Sequence, residues 1–150
     1  KGKIMGAPVQ MQKYAVLFTI AYFLVTVVIM VVVYLIDLGG GAGLNIAAAM
    51  VASFFAGSQF AKEQGRAPTN AEKHTYSLMA LASIWIVSLL LLAATIAFQP
   101  AAKEAQALLG LVASGIFLIV VAVAAAVFSL LYYFVVKWAF SWYIKKVCNR

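Results

Sequence analysis

Tyr14-Ala-Val-Leu-Phe-Thr-Ile-Ala-Tyr-Phe-Leu-Val-Thr-Val-Val-Ile-Met-Val-Val-Val-Tyr-Leu-Ile36 runs for 23 residues without a charge. Its β-branched stretch, Val25–Val33, would favour a strand in water. Strands that cross a membrane are about ten residues long and alternate polar with apolar, whereas Val25–Val33 is apolar at almost every position. In hydrocarbon no water satisfies the backbone, so a continuous apolar run of this length folds as a helix. A hydrocarbon core of about 30 Å needs about 20 helical residues. The run meets that length.

Three more apolar runs follow: Leu44–Ala61, Tyr76–Phe98 and Leu108–Val136. The shortest, Leu44–Ala61, is expected to continue as helix through Lys62–Gln64, whose long side chains can snorkel. The last is overlong and should tilt or project. With 66% hydrophobic and 10% charged residues, lipid must be the solvent for much of the chain. The expected fold is all-α: one integral membrane domain over 1–150, a four-transmembrane-helix up-down bundle. Its helices are expected at about 14–36, 44–64, 70–98 and 106–144.

Charge sets the threading. Ten of the 11 Lys and Arg residues lie in the N-terminal, middle and C-terminal segments, and Lys103 stands alone outside them. Short basic segments stay cytoplasmic. Both termini and the middle loop are therefore expected inside, with Asp37–Gly43 and Gln99–Ala107 outside. The net charge of +7 is divided among short segments and interrupted by Glu63 and Glu72. Orientation and contact with anionic lipid head groups explain it better than nucleic-acid binding. No segment reads as a cleavable signal peptide. The single cysteine, Cys148, excludes an intrachain disulfide and any multi-cysteine metal site.

The outer turn Asp37-Leu-Gly-Gly-Gly-Ala-Gly43 suits a tight reversal between antiparallel helices, and Asn45 either caps the second helix or lies just inside it. The middle loop, Phe60-Ala-Lys-Glu-Gln-Gly-Arg-Ala-Pro-Thr-Asn-Ala-Glu-Lys73, is more specific. Gly65 stands where a glycine ends a helix, and Pro68 keeps Ala67 out of the helical region. Thr69 and Glu72 have capping-box spacing, so the third helix should start near Asn70. Arg66 is left free to hold a phosphate head group or a partner's carboxylate.

Small residues mark expected helix contacts: Ala48, Ala52 and Ala56; the adjacent Ala49, Ser53 and Gly57; and, in the last helix, Gly110 with Ser114 and Ala122 with Ala126. The last helix ends in an aromatic and basic anchor containing Lys137, Trp138, Trp142, Lys145 and Lys146. This anchor is expected to run on as an interfacial helix.

The four apolar runs contain no Asp, Glu, Lys, Arg or His. Proton-coupled transporters usually place an ionisable group near mid-membrane, but Asp37, Glu63, Glu72 and Glu104 all sit at or beyond the edges. A bis-histidine haem needs two imidazoles, and His74, the only histidine, is expected to be solvated or lipid-facing. No catalytic, metal or cofactor residue is assigned. Trp85 lies mid-run, so its indole N–H needs an acceptor, such as the Ser88 hydroxyl or a carbonyl on another helix. Thr19 and Thr26 share a face and can contribute to a polar seam.

The elements Ala56-Gly57, Phe60, Arg66-Ala-Pro-Thr69 and Glu72-Lys73 resemble the middle loop of a family of small uncharacterised four-helix bacterial inner-membrane proteins. The resemblance implies no enzymatic activity. Proteins of this sort look like the immunity proteins found beside secreted antibacterial toxins. The expected function is a non-enzymatic inner-membrane binding protein: an immunity protein against a membrane-acting toxin, or an accessory subunit of a membrane complex. The expected partners are anionic lipid head groups, a membrane or secreted protein and, as a further option, a second copy of the chain. Candidate contact residues are Arg66, Trp85, Lys137, Trp138, Trp142, Lys145 and Lys146, with Gly65, Thr69 and Glu72 as a structural cap. The alternative is an oligomeric channel or uncharged-solute transporter lined by Thr and Ser hydroxyls.

Overall fold

The structure, a computed structural model, describes residues 10–36, 42–98, 110 and 115–148. They form four long helices: α1 (Met11–Ile36), α2 (Ala42–Gln64), α3 (Asn70–Phe98) and α4 (Gly115–Cys148). All four are long and apolar enough to cross a membrane, the architecture of a multi-pass membrane protein. Most of the outer turn, the Gln99–Ala107 segment, the expected start of the last helix near residue 106 and Ser114 lie outside the described residues.

Three boundaries differ from expectation. α1 begins at Met11, three residues before the apolar run. α2 already begins at Ala42, so Asn45 lies inside its first turn. α4 continues to Cys148 and has 34 residues. At about 1.5 Å per residue it is about 51 Å long, well beyond a hydrocarbon core of about 30 Å.

Helix directions alternate. Lys13 near the start of α1 meets Glu63 near the end of α2, while Phe18 of α1 meets Tyr76 of α3, both in the early turns of their helices. Trp85 and His74 of α3 meet Ser129 and Tyr133 of α4 respectively, so those two helices run antiparallel. The order around the bundle, however, is α1, α2, α4, α3: α2 packs on α1 and α4, and α3 packs on the same two. The helices joined by the middle loop therefore lie across a diagonal. Helix axes about 10 Å apart place diagonal neighbours about 14 Å apart. The five-residue link Gly65–Thr69 spans at most about 18 Å when extended, which is enough.

Gly65 makes the exit from α2 possible. Its φ is +58°, a left-handed conformation that costs other residues a Cβ clash. Its N–H donates to the Ala61 carbonyl at 2.9 Å, closing the helix end.

The core gathers at the end of the bundle that carries Lys13, Lys62, Arg66, Lys73, Lys145 and Lys146, hereafter the basic end. Buried there are Tyr14, Phe18 and Tyr22 of α1, Phe60 of α2, Tyr76 and Ala80 of α3, and Val136, Phe140 and Ile144 of α4. Both small-residue stripes of α2 are used within the chain: Ala48, Ala49, Ala52, Ser53 and Ala56 are fully buried. A Cβ added at Gly57 would stand 3.6 Å from Ile144 and Phe140, an ordinary packing distance at the α2–α4 seam. Ala122 and Ala126, in contrast, are exposed; equal spacing there makes no seam. The aromatic end of α4, expected to lie along the interface, is packed into the bundle as far as Ile144.

Towards the other end burial falls away in α1, α3 and α4, though Ala48 and Ala49 of α2 stay fully buried. Val28, Tyr34 and Leu35 of α1, Leu89 and Leu90 of α3, and Ile116, Ile119 and Val123 of α4 are all exposed. In a membrane these faces meet hydrocarbon.

Candidate functional site at the basic end

Three polar clusters and one aromatic block occupy the basic end. The first cluster ties α1 to α2. Lys13 Nζ donates to Glu63 Oε1 at 2.7 Å, and the Tyr14 hydroxyl donates to Glu63 Oε2 at 2.8 Å. The second fixes the loop. The Glu72 N–H donates to Thr69 Oγ1 at 3.2 Å, and the Thr69 N–H donates to Glu72 Oε2 at 2.7 Å, the reciprocal pattern of a capping box.

Arg66 belongs to this second cluster, which corrects the expectation that it is free. Its guanidinium donates to both Glu72 oxygens, at 2.9 and 2.6 Å, and lies over the Phe60 ring, 5.7 Å from its centroid. The hydrogen bonds to Glu72 hold the guanidinium proton more firmly, raising the Arg66 pKa above its ordinary value. The carboxylate that caps α3 therefore also occupies the nearest arginine. Its side chain nevertheless remains 43% exposed.

The third cluster was not foreseen. His74 of α3 is exposed, as expected, and also places Nδ1 2.8 Å from the Tyr133 hydroxyl of α4. Lys137, one turn further along α4, donates to the same hydroxyl at 3.4 Å and lies over the Tyr133 ring at 5.3 Å. The Tyr133–Lys137 spacing of one helical turn was visible in the chain; His74 is 59 residues away from its partner, and no local signal joins them.

Trp85 donates its indole N–H to Ser129 Oγ of α4 at 3.1 Å, not to Ser88 on its own helix. It borders a cavity of about 230 Å³ between α2, α3 and α4, lined also by Asn45, Ile84, Ser88, Phe128 and Tyr132. Thr19 donates to Ser83 Oγ at 2.7 Å and to its own helix's Ala15 carbonyl at 2.8 Å. The Thr19–Thr26 seam is not continuous, because the buried Thr26 hydroxyl has no hydrogen-bond partner.

The remaining anchor residues face outward. Trp138 and Trp142 stack with centroids 5.9 Å apart, Lys146 lies over Trp142 at 4.9 Å, and Lys145 is exposed. Trp142 and Tyr143 also flank Phe54 of α2, at 5.9 and 5.7 Å.

At the centre, Tyr76 stacks on Phe140 with centroids 4.0 Å apart, and Phe60 and Phe18 meet them edge-on. These rings fill the space between the helices. Among the described residues no group of three His, Cys, Asp or Glu side chains comes together to hold a metal ion. Chemically, the arrangement offers cations, hydroxyls and aromatic edges at one end of the bundle. No protein-family model, curated protein or solved structure matches the chain.

Proposed function

We propose that this chain is a non-enzymatic binding protein of the bacterial inner membrane, with both termini in the cytoplasm, that engages another membrane or secreted protein. An immunity protein against a membrane-acting toxin and an accessory subunit of a larger complex are its two concrete forms. The orientation is supported by the gathering of Lys13, Lys62, Arg66, Lys73, Lys145 and Lys146 around one end of the bundle. The observation that carries the binding role is the uneven packing. The helices cohere at the basic end, while the far halves of α1, α3 and α4 present apolar side chains away from one another.

Conduction through a single bundle has less support, because Phe18, Phe60, Tyr76 and Phe140 fill the central space. The small-residue stripes of α2 are already buried within the chain, whereas Ala122 and Ala126 of α4 remain exposed.

Photo-crosslinking in living cells tests the proposal. A photoreactive residue in place of Leu35 or Ile119, exposed at 73% and 66%, is expected to capture a distinct protein. Capture of lipid alone, together with a strictly monomeric protein on native purification, would count against it. Selective, saturable flux by the purified protein in liposomes would move the assignment to a transporter.

A further inference from the structure

The described acids are already taken: Glu63 holds Lys13 and Glu72 holds Arg66. Lys137 has no carboxylate within ion-pair distance among the described residues, and its ammonium rests against the hydroxyl and ring of Tyr133. Through Tyr133 it is level with His74 in the first turns of α3, among the basic residues of this end, and it is partly buried. A partly buried ammonium is costly unless an anion accompanies it. A phenol supplies a dipole and no counter-charge.

We propose that His74, Tyr133 and Lys137 form a binding site for the phosphate of an anionic phospholipid at the α3–α4 groove. The Lys137 ammonium supplies the charge. Tyr133 holds both partners in place, accepting from Lys137 and sharing a hydrogen bond with His74 Nδ1. With Nδ1 engaged, the other imidazole nitrogen remains to meet a phosphate oxygen, donating when the ring's tautomer or protonation places a hydrogen there.

A lipid, and not a free anion, fits the surroundings. One helical turn from the cluster, Leu78 of α3 and Leu130 of α4 are exposed apolar residues at 49% and 61%, and Phe134 beside Tyr133 is exposed at 63%. Acyl chains attached to the phosphate lie along them. Trp138, next to Lys137 and 55% exposed, provides an indole at the head-group border, where such rings settle. The site differs from general attraction at the membrane surface, for which Lys145 and Lys146 suffice. It is independent of the protein-binding role.

Native mass spectrometry of the detergent-released full chain tests the site, with phosphatidylglycerol and phosphatidylcholine as probes. The chain is expected to retain phosphatidylglycerol preferentially, and Lys137→Gln to lower that retention about fivefold, the effect of about one basic residue near an anionic surface. Tyr133→Phe, which keeps the ring but releases both partners, is expected to lower it in the same direction. The control is Lys145→Gln/Lys146→Gln, which removes twice the charge but leaves the cluster intact; it is expected to change retention less than Lys137→Gln. An equal or larger loss in this double variant means diffuse charge attraction and overturns the proposal. So does equal retention of the two lipids. Displacement of the lipid by millimolar inorganic phosphate would make the site one for a free anion, and would overturn the assignment to lipid.

Discussion

Tyr76 of α3 lies flat against Phe140 of α4, ring centroids 4.0 Å apart and planes inclined by 21°. Both side chains are fully buried. Because α2 and α3 lie across the bundle's diagonal, this pair joins α3 to the helix that also packs on α2. In lipid, the hydrophobic transfer that drives soluble folding is largely absent, so packing contacts like this one carry the association. Truncating Phe140→Ala leaves a cavity against Phe60, Gly57 and Tyr76, and is expected to destabilise the fold by about 2 kcal/mol or more. Reversible unfolding in mixed micelles measures it.

The Tyr76 hydroxyl behaves differently from its ring. It is buried beside the Ser53 hydroxyl, and the approach of the two oxygens falls outside ordinary hydrogen-bond geometry. An unsatisfied buried hydroxyl costs about 1–3 kcal/mol. Tyr76→Phe keeps the stack and removes the hydroxyl, so it is expected to be neutral or stabilising in the same unfolding assay. A clear loss of stability would show that the hydroxyl is paired in the folded protein.

At the middle loop, Glu72 has two tasks and Thr69 one. Thr69→Ala removes one cap and is expected to cost about 1 kcal/mol. Glu72→Ala removes the reciprocal cap bond and also releases Arg66, so it should cost more than Arg66→Ala does. Comparison of the three melting temperatures in one detergent checks the order. Equal effects of Glu72→Ala and Arg66→Ala would mean that the cap bond from Glu72 contributes nothing.

Gly65 is a test of backbone conformation alone. No heavy atom lies within 4 Å of a Cβ built there, so Gly65→Ala meets no neighbour. Its left-handed φ of +58° nevertheless costs an alanine about 1–2 kcal/mol. Gly65→Asn is expected to cost less, since asparagine tolerates this region. Thermal unfolding of the two variants gives the comparison.

Trp85 and Ser129 supply a hydrogen bond between α3 and α4. Interhelical hydrogen bonds in membranes average about 0.6 kcal/mol, so a double-mutant cycle with Trp85→Phe and Ser129→Ala is expected to return a coupling of about that size. A coupling of zero would place the indole N–H elsewhere.

The parts of this fold that were legible in the chain are the local ones. Runs of apolar residues long enough to span hydrocarbon mark four helices, and Gly65, Thr69 and Glu72 mark one loop because each acts on backbone within a few residues. The ring order was not legible: α1, α3 and α4 carry apolar side chains on nearly every side, so no stripe says which face meets which neighbour. For Trp85 the chain points only to the nearby Ser88 or a carbonyl on another helix, and the packing of α3 on α4 selects Ser129. Small-residue spacing worked on α2, where Ala48 to Ala56 is buried, and failed for Ala122 and Ala126, because spacing does not reveal whether a partner helix is there. Arg66 was assigned to a ligand although Glu72 stood six residues away, across a loop that folds the two together. His74 and Tyr133 could be joined only by the fold.

The central claim, a four-span bundle whose basic end faces the cytoplasm, can be tested on the native cysteine. Cys148 is exposed at the end of α4, beside Lys145 and Lys146. A membrane-impermeant maleimide applied to intact spheroplasts is expected to leave it unmodified, and to modify it fully once the membrane is permeabilised. Labelling in intact spheroplasts would put the basic end outside and contradict the account.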